Sequence, residues 1–142
     1  VHRSHTHAQG VGRIESNERL EFLGDSVLGL IVNTYLYRHH PDLEEGDLTK
    51  MKSKLVCGES LARVAMRETL GDHILMSRGE AATGGRKRAS ILADAVEAVL
   101  GAVFLDGGLA AARAPIADRP PLISTQSRTS CQPRSGLRVK PM

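Results

Sequence analysis

Glu18, Glu21 and Asp25 stand in the stretch NERLEFLGDSVLGLIVNTYLYRHHP (17–41), which is otherwise largely apolar and helical in period. At the helical turn per residue the three acids lie at about 0°, 300° and 340° around the axis, so they share one stripe. A second pair is sharper. In SILADAVEAVLGAVF (90–104) the only charged residues are Asp94 and Glu97, one turn apart on a segment apolar nearly all round. A helix of that kind is buried on most faces. Burying a carboxylate is costly unless something compensates, and a like charge one turn away makes it worse. Acids can also cap helix ends, or pair with Arg19, Arg78 or the Arg86–Arg88 run. Two matching pairs on the two most apolar helices favour a divalent cation instead. With no His or Cys among them, Glu21, Asp25, Asp94 and Glu97 suit a hard ion, Mg²⁺ or alternatively Mn²⁺, rather than Zn²⁺. A carboxylate-held Mg²⁺ commonly serves phosphate chemistry, by activating water and neutralising charge on phosphoryl oxygens.

The elements that must carry these acids are readable as helices. Asn17 is expected to cap the first through its side chain. Leu20, Leu23, Val27, Leu30, Ile31 and Tyr35 then recur at helical spacing, and Pro41 stops the run. DLTKMKSKLV (47–56) and ESLARVAMRETLG (59–71) read as two further helices, the second closing at Gly71 as a C-terminal cap. A connector, DHILMSRGEAATGGRKR, leads into the apolar helix ASILADAVEAVLGAVFLDGG, which ends at Gly107 and Gly108; LAAARA begins one more. The opening VHRSHTHAQGVGRIES reads as the end of an element followed by a loop.

Within 142 residues, apolar types make up 41% but aromatics only 3%, so aliphatic side chains must fill one modest core. That composition, with no sustained period-2 run, predicts an all-α fold. Residues 1–113 hold 14 Lys/Arg against 15 Asp/Glu, whereas residues 114–142 hold five against one. The overall charge of +3 is therefore a property of the tail. Five of the six prolines also fall there, and 115–142 reads as disordered, leaving a domain at 1–114. The longest apolar stretches carry Asp, Glu or Asn, which argues against a membrane span. Cys57 and Cys131 match no metal-ligand spacing and fit a reducing, cytoplasmic setting, with Cys57 a small core residue.

NERLEFLGDSVLG (17–29) resembles the signature motif of the ribonuclease III family. HRS (2–4), EEGDLTKMKSKLV (44–56) and GGRKRASILADAVEAVLGAVFLDGG (84–108) agree with it in order and spacing. The resemblance covers residues 2–113 and is to the bacterial enzyme. It implies a helical endonuclease domain working as a homodimer, which cuts both strands of double-stranded RNA in RNA processing such as rRNA maturation. Glu21, Asp94 and Glu97 fall where the family binds Mg²⁺, and Asp25 and Glu97 where it places its catalytic acids. Glu18 and Glu45 match accessory acids near the cleft, and Phe22 an apolar contact to the partner subunit. Products with 5′-phosphate and 3′-hydroxyl ends are implied. Recognition is expected through shape, phosphates and 2′-hydroxyls, since the deep RNA major groove hides the bases. Arg86, Lys87 and Arg88 are candidates for phosphate contacts. His2, His5 and His7 are spaced like metal ligands, but HRS already has its place in the family pattern.

Two departures stand beside the resemblance. The family's domain has a helix before HRS, so the N-terminal helix is expected to be truncated here. Residues 115–142 are not expected to form the family's double-stranded-RNA-binding domain, so weak, salt-sensitive RNA binding is expected. Rival readings are a non-catalytic RNA-binding or dimerisation module on the same fold, a truncated inactive product, and a phosphohydrolase of small substrates.

Overall fold

The computed structural model describes residues 1–117 except 11, 13 and 14. Among the described residues it contains helices and no strand: α1 (Arg3–Ala8), α2 (Glu18–His39), α3 (Glu45–Leu55), α4 (Gly58–Arg67), α5 (Leu70–His73), α6 (Arg78–Ala82), a 3₁₀ turn (Gly85–Lys87) and α7 (Ala89–Ala117). The all-α expectation holds. Helix α7 runs three residues past the expected domain edge, and the remainder of the 115–142 tail lies outside the described residues.

Helices α2 and α7 form the centre, with α4 against α7 and α3 against α2. Val27, Leu28, Ile31, Val32 and Leu36 of α2 meet Leu61, Ala93, Leu100 and Ala112 in one core cluster, which Leu48, Met51 and Leu55 of α3 cover. A second cluster joins Ala62 and Ala65 of α4 to Ile74, Met76, Ile91, Leu92 and Ala95. No aromatic side chain is in the buried set, so shape is filled by branched aliphatics and alanines. By length and mean hydropathy (1.6 over an 18-residue window of Ala89–Ala114) α7 is the one described helix that would suit a membrane. It is instead the central helix of this bundle and carries two acids inward.

Two glycines set the distance between the central helices. A Cβ on Gly24 would lie 1.7 Å from the carbonyl oxygen of Glu97, and one on Gly101 would lie 2.4 Å from that of Leu20. The backbones therefore touch where α2 crosses α7. A helical glycine costs about 1 kcal/mol against alanine, a cost accepted here for close approach.

Three local expectations are corrected. Asn17 sits at the N-cap position but in helical geometry (φ −76°, ψ −2°), and its side chain makes no capping bond. The neighbouring Ser16 hydroxyl accepts from the Glu18 amide instead, at 3.4 Å. Gly71 does not close α4: that helix ends at Arg67, and Thr69 takes the left-handed conformation (φ 51°) before α5. Gly71 is buried inside α5 because a Cβ there would meet the Arg86 carbonyl oxygen at 2.2 Å. Cys57 is half-buried just before α4 rather than in the core. The break at Gly108 is as expected, with φ 71° interrupting α7.

The 72–88 connector is more ordered than a loop. Ser77 caps α6 by accepting from the Glu80 amide at 3.2 Å. The Arg86 guanidinium donates through Nη1 to the carbonyls of Gly71 (2.8 Å), Asp72 (3.2 Å) and Ile74 (3.1 Å). Arg86→Ala is expected to destabilise the fold by ~2 kcal/mol, since two of those acceptors are partly buried and lose a charged donor. Thermal unfolding checks this; an unchanged midpoint would mean the brace is idle.

Candidate metal centre

Because α2 and α7 cross at glycines, Glu21 on one helix faces Asp94 and Glu97 on the other. One carboxylate oxygen from each of the three lies within 4.8 Å of the others. Glu97 is 2% exposed, and Glu21 and Asp94 are half-buried. Three anionic oxygen donors with no imidazole or thiolate among them fit a hard divalent cation. Among the described residues this is the only such grouping, so His2, His5 and His7 do not form one.

The cluster opens into a cavity whose lining also includes Glu18, Phe22, Asp25, Glu80 and Arg88. Asp25 is exposed, one turn along α2 from Glu21. Glu18 lies at the mouth, ion-paired to Arg3 at 3.5 Å and accepting from the Ser16 hydroxyl at 3.3 Å. Phe22 is 79% exposed, unusual for the largest apolar side chain on the helix. Glu45 is not brought to the cluster within this chain: it stands exposed at the start of α3, outside the cavity lining, and accepts from the Thr49 hydroxyl at 2.8 Å.

The basic run divides three ways. Arg86 turns inward to its three carbonyls and is a brace, a correction to its expected phosphate role. Lys87 is exposed and outside the cavity lining. Arg88 alone of the three lines the cavity. Among the charged residues lining the cavity, sequence reasoning missed Arg3 and Glu80, the latter hidden in RGEAATGG, where the glycines drew attention to turns.

His2 shows how the N-terminal segment is held. Its Nδ1 accepts from the Ser4 amide at 3.2 Å, capping α1, and lies 2.9 Å from the Ser4 hydroxyl. The Ser4 oxygen accepts from the Ser77 amide at 3.1 Å, and the His2 amide donates to the Leu75 carbonyl at 2.9 Å. Burial pushes the imidazole pKa below its ordinary 6.5, against the pull of Glu80. A protonated Nδ1 could not accept these bonds. The contribution of His2 to stability is therefore present above pH 6.5 and lost as pH falls through the lowered value. An NMR titration of the metal-free protein should find His2 titrating below that value; titration above it would contradict the cap.

Fold and site together define an all-helical domain with a carboxylate cluster compatible with a divalent metal. The chain belongs to the ribonuclease-III-like family, whose model matches residues 1–119. Ribonuclease 3 of Caldanaerobacter subterraneus subsp. tengcongensis is 55% identical over 118 residues, covering 83% of this chain and 51% of that protein. Ribonuclease 3 of Streptomyces coelicolor is 56% identical over 112 residues, covering 79% and 40%. The chain thus spans about half the length, or less, of these curated relatives. A solved nuclease domain of ribonuclease III from Campylobacter jejuni superposes with a TM-score of 0.71 at 46% identity, covering 72% of each chain. It is described as flexible in the region involved in dimer formation.

Proposed function

We propose that this chain is a Mg²⁺-dependent endoribonuclease that cleaves double-stranded RNA as a homodimer, leaving 5′-phosphate and 3′-hydroxyl ends. The observation that carries the reading is the convergence of Glu21, Asp94 and Glu97 on a fold shared with ribonuclease III nuclease domains. These three residues would hold the ion, with Mn²⁺ an alternative; when bound, it supplies an activated water and neutralises charge on the scissile phosphate. Asp25, exposed in the same cavity, is suited to orient the attacking water and carry away its proton. Glu97 does double duty as ligand and catalytic acid. Burial of Glu97 fixes its rotamer, so the ligand set is organised before substrate arrives.

The dimer reading draws support from Phe22, whose exposure makes sense as a side chain seated in a partner subunit. Glu45 would then reach a cleft only across that interface. The catalytic unit is taken as residues 1–114, with the charge of 115–142 contributing weak electrostatic attraction to RNA. A cytoplasmic site and a part in RNA processing such as rRNA maturation belong to the same reading.

The test offers the protein end-labelled duplex RNA and the corresponding single strands, then characterises the product ends. Duplex-selective cutting to 5′-phosphates is expected. Equal cutting of single strands, or 3′-phosphate ends, would refute the reading.

A further inference from the structure

The carboxylate cavity holds an outer ion pair that the metal chemistry does not use. Arg88, immediately before α7, donates from Nη1 to Glu80 Oε1, while Nη2 lies 3.5 Å from the Thr83 carbonyl and 3.4 Å from its hydroxyl. Both charged side chains line the cavity with Asp94 and Glu97, and they are 46% and 21% exposed. Glu80 is itself fixed: its amide donates to Ser77 Oγ, and its carbonyl accepts from the Thr83 hydroxyl at 3.1 Å. Gly85 makes room for it, since a Cβ there would lie 2.6 Å from the Glu80 carbonyl and 2.8 Å from its Cγ. The RGEAATGGRKR segment thus folds into a bracket whose last residue is a held guanidinium.

We infer that Glu80 is a positioning residue: it holds the Arg88 guanidinium at the cavity rim as the contact for a backbone phosphate of the RNA duplex. The inference rests on the nuclease reading above. A polyanion entering this cavity meets Glu18, Glu21, Asp25, Glu80, Asp94 and Glu97, so a fixed cation at the mouth has an electrostatic purpose beyond the metal. A guanidinium has five donors in a fixed fork, and Glu80 and Thr83 engage only one edge, leaving donors for a phosphate. Pre-orienting the side chain removes part of the entropy cost of ordering it on binding. Glu80 therefore acts through Arg88 and does not touch the RNA.

The experiment measures KM and kcat for duplex cleavage, and duplex affinity against salt, for Arg88→Ala, Arg88→Lys, Glu80→Gln and Arg88→Ala/Glu80→Gln, with thermal midpoints alongside. Arg88→Ala is expected to raise KM about tenfold with little change in kcat, and to lower the salt slope by about one. Glu80→Gln should raise KM about threefold, and Arg88→Lys should not restore the wild-type value because it lacks the fork. The double variant should match Arg88→Ala alone. A Glu80→Gln effect that persists in full without Arg88 would overturn the inference, as would variants indistinguishable from an active wild type. A folded wild type that neither binds nor cuts duplex RNA would overturn the nuclease reading itself, and this inference with it.

Discussion

Glu97→Gln is expected to lower affinity for Mn²⁺ or Mg²⁺ by ~100-fold or more, since altering even the indirect partners of a metal ligand costs about 10–100-fold. Glutamine preserves the shape that 2% exposure demands but removes the charge and one strong donor oxygen. Asp94 and Glu21, each with an oxygen within 4.8 Å of the others, then form an incomplete site. A second readout runs the opposite way. Three carboxylates this close repel one another, so neutralising the most buried should raise the thermal midpoint of the metal-free protein, worth ~1 kcal/mol or more. Calorimetric titration with Mn²⁺ and unfolding in EDTA together check both. Unchanged metal affinity would remove Glu97 from the ligand set.

Gly24→Ala is expected to be the most damaging small substitution in the chain. The added methyl would sit 1.7 Å from the Glu97 carbonyl oxygen and 2.5 Å from its carbon, both backbone atoms that cannot step aside. The helices must separate, which costs ~3 kcal/mol or more and lowers the midpoint by about 10 °C or more. Separation also pulls Glu21 away from Asp94 and Glu97, so metal affinity should fall with stability. Gly101→Ala, facing the Leu20 carbonyl at 2.4 Å, should behave alike. Gly29→Ala supplies the control on the same helix. There a methyl meets only the flexible end of Lys52 at 3.6 Å, and the gain in helix propensity should make it neutral or stabilising. If all three glycines tolerated alanine equally, the close crossing would not be what assembles the site.

Glu21, Asp94 and Glu97 were legible in sequence because a carboxylate on an apolar helix needs a reason; Asp25, the fourth acid of the two pairs, lines the same cavity but is exposed and outside the cluster. The helices α2, α3, α4 and α7 were legible because apolar spacing survives without knowledge of neighbours. What failed was decided by tertiary contact. Asn17 has a capping residue's identity but not the extended backbone that capping requires. Gly71 resembles a helix stop, yet a strand of backbone from Arg86 lies where its side chain would be. Arg86 and Arg88 stand two positions apart with equal charge, and only the fold sends one to carbonyls and the other to the cavity. Glu45 shows the remaining limit: its spacing matches the family, but its place at the head of α3 is away from the cluster of its own chain.

The most direct test of the proposed metal-dependent nuclease activity is cleavage of a labelled RNA duplex of ~30 base pairs at low salt, long enough to span successive grooves of the A-form helix. Cutting is expected with Mg²⁺, none with EDTA, and none from Glu97→Gln at the same protein concentration. Absence of cutting by a wild-type protein shown to be folded, dimeric and metal-loaded would contradict it, and would make this chain an RNA-binding or dimerisation module on a nuclease fold.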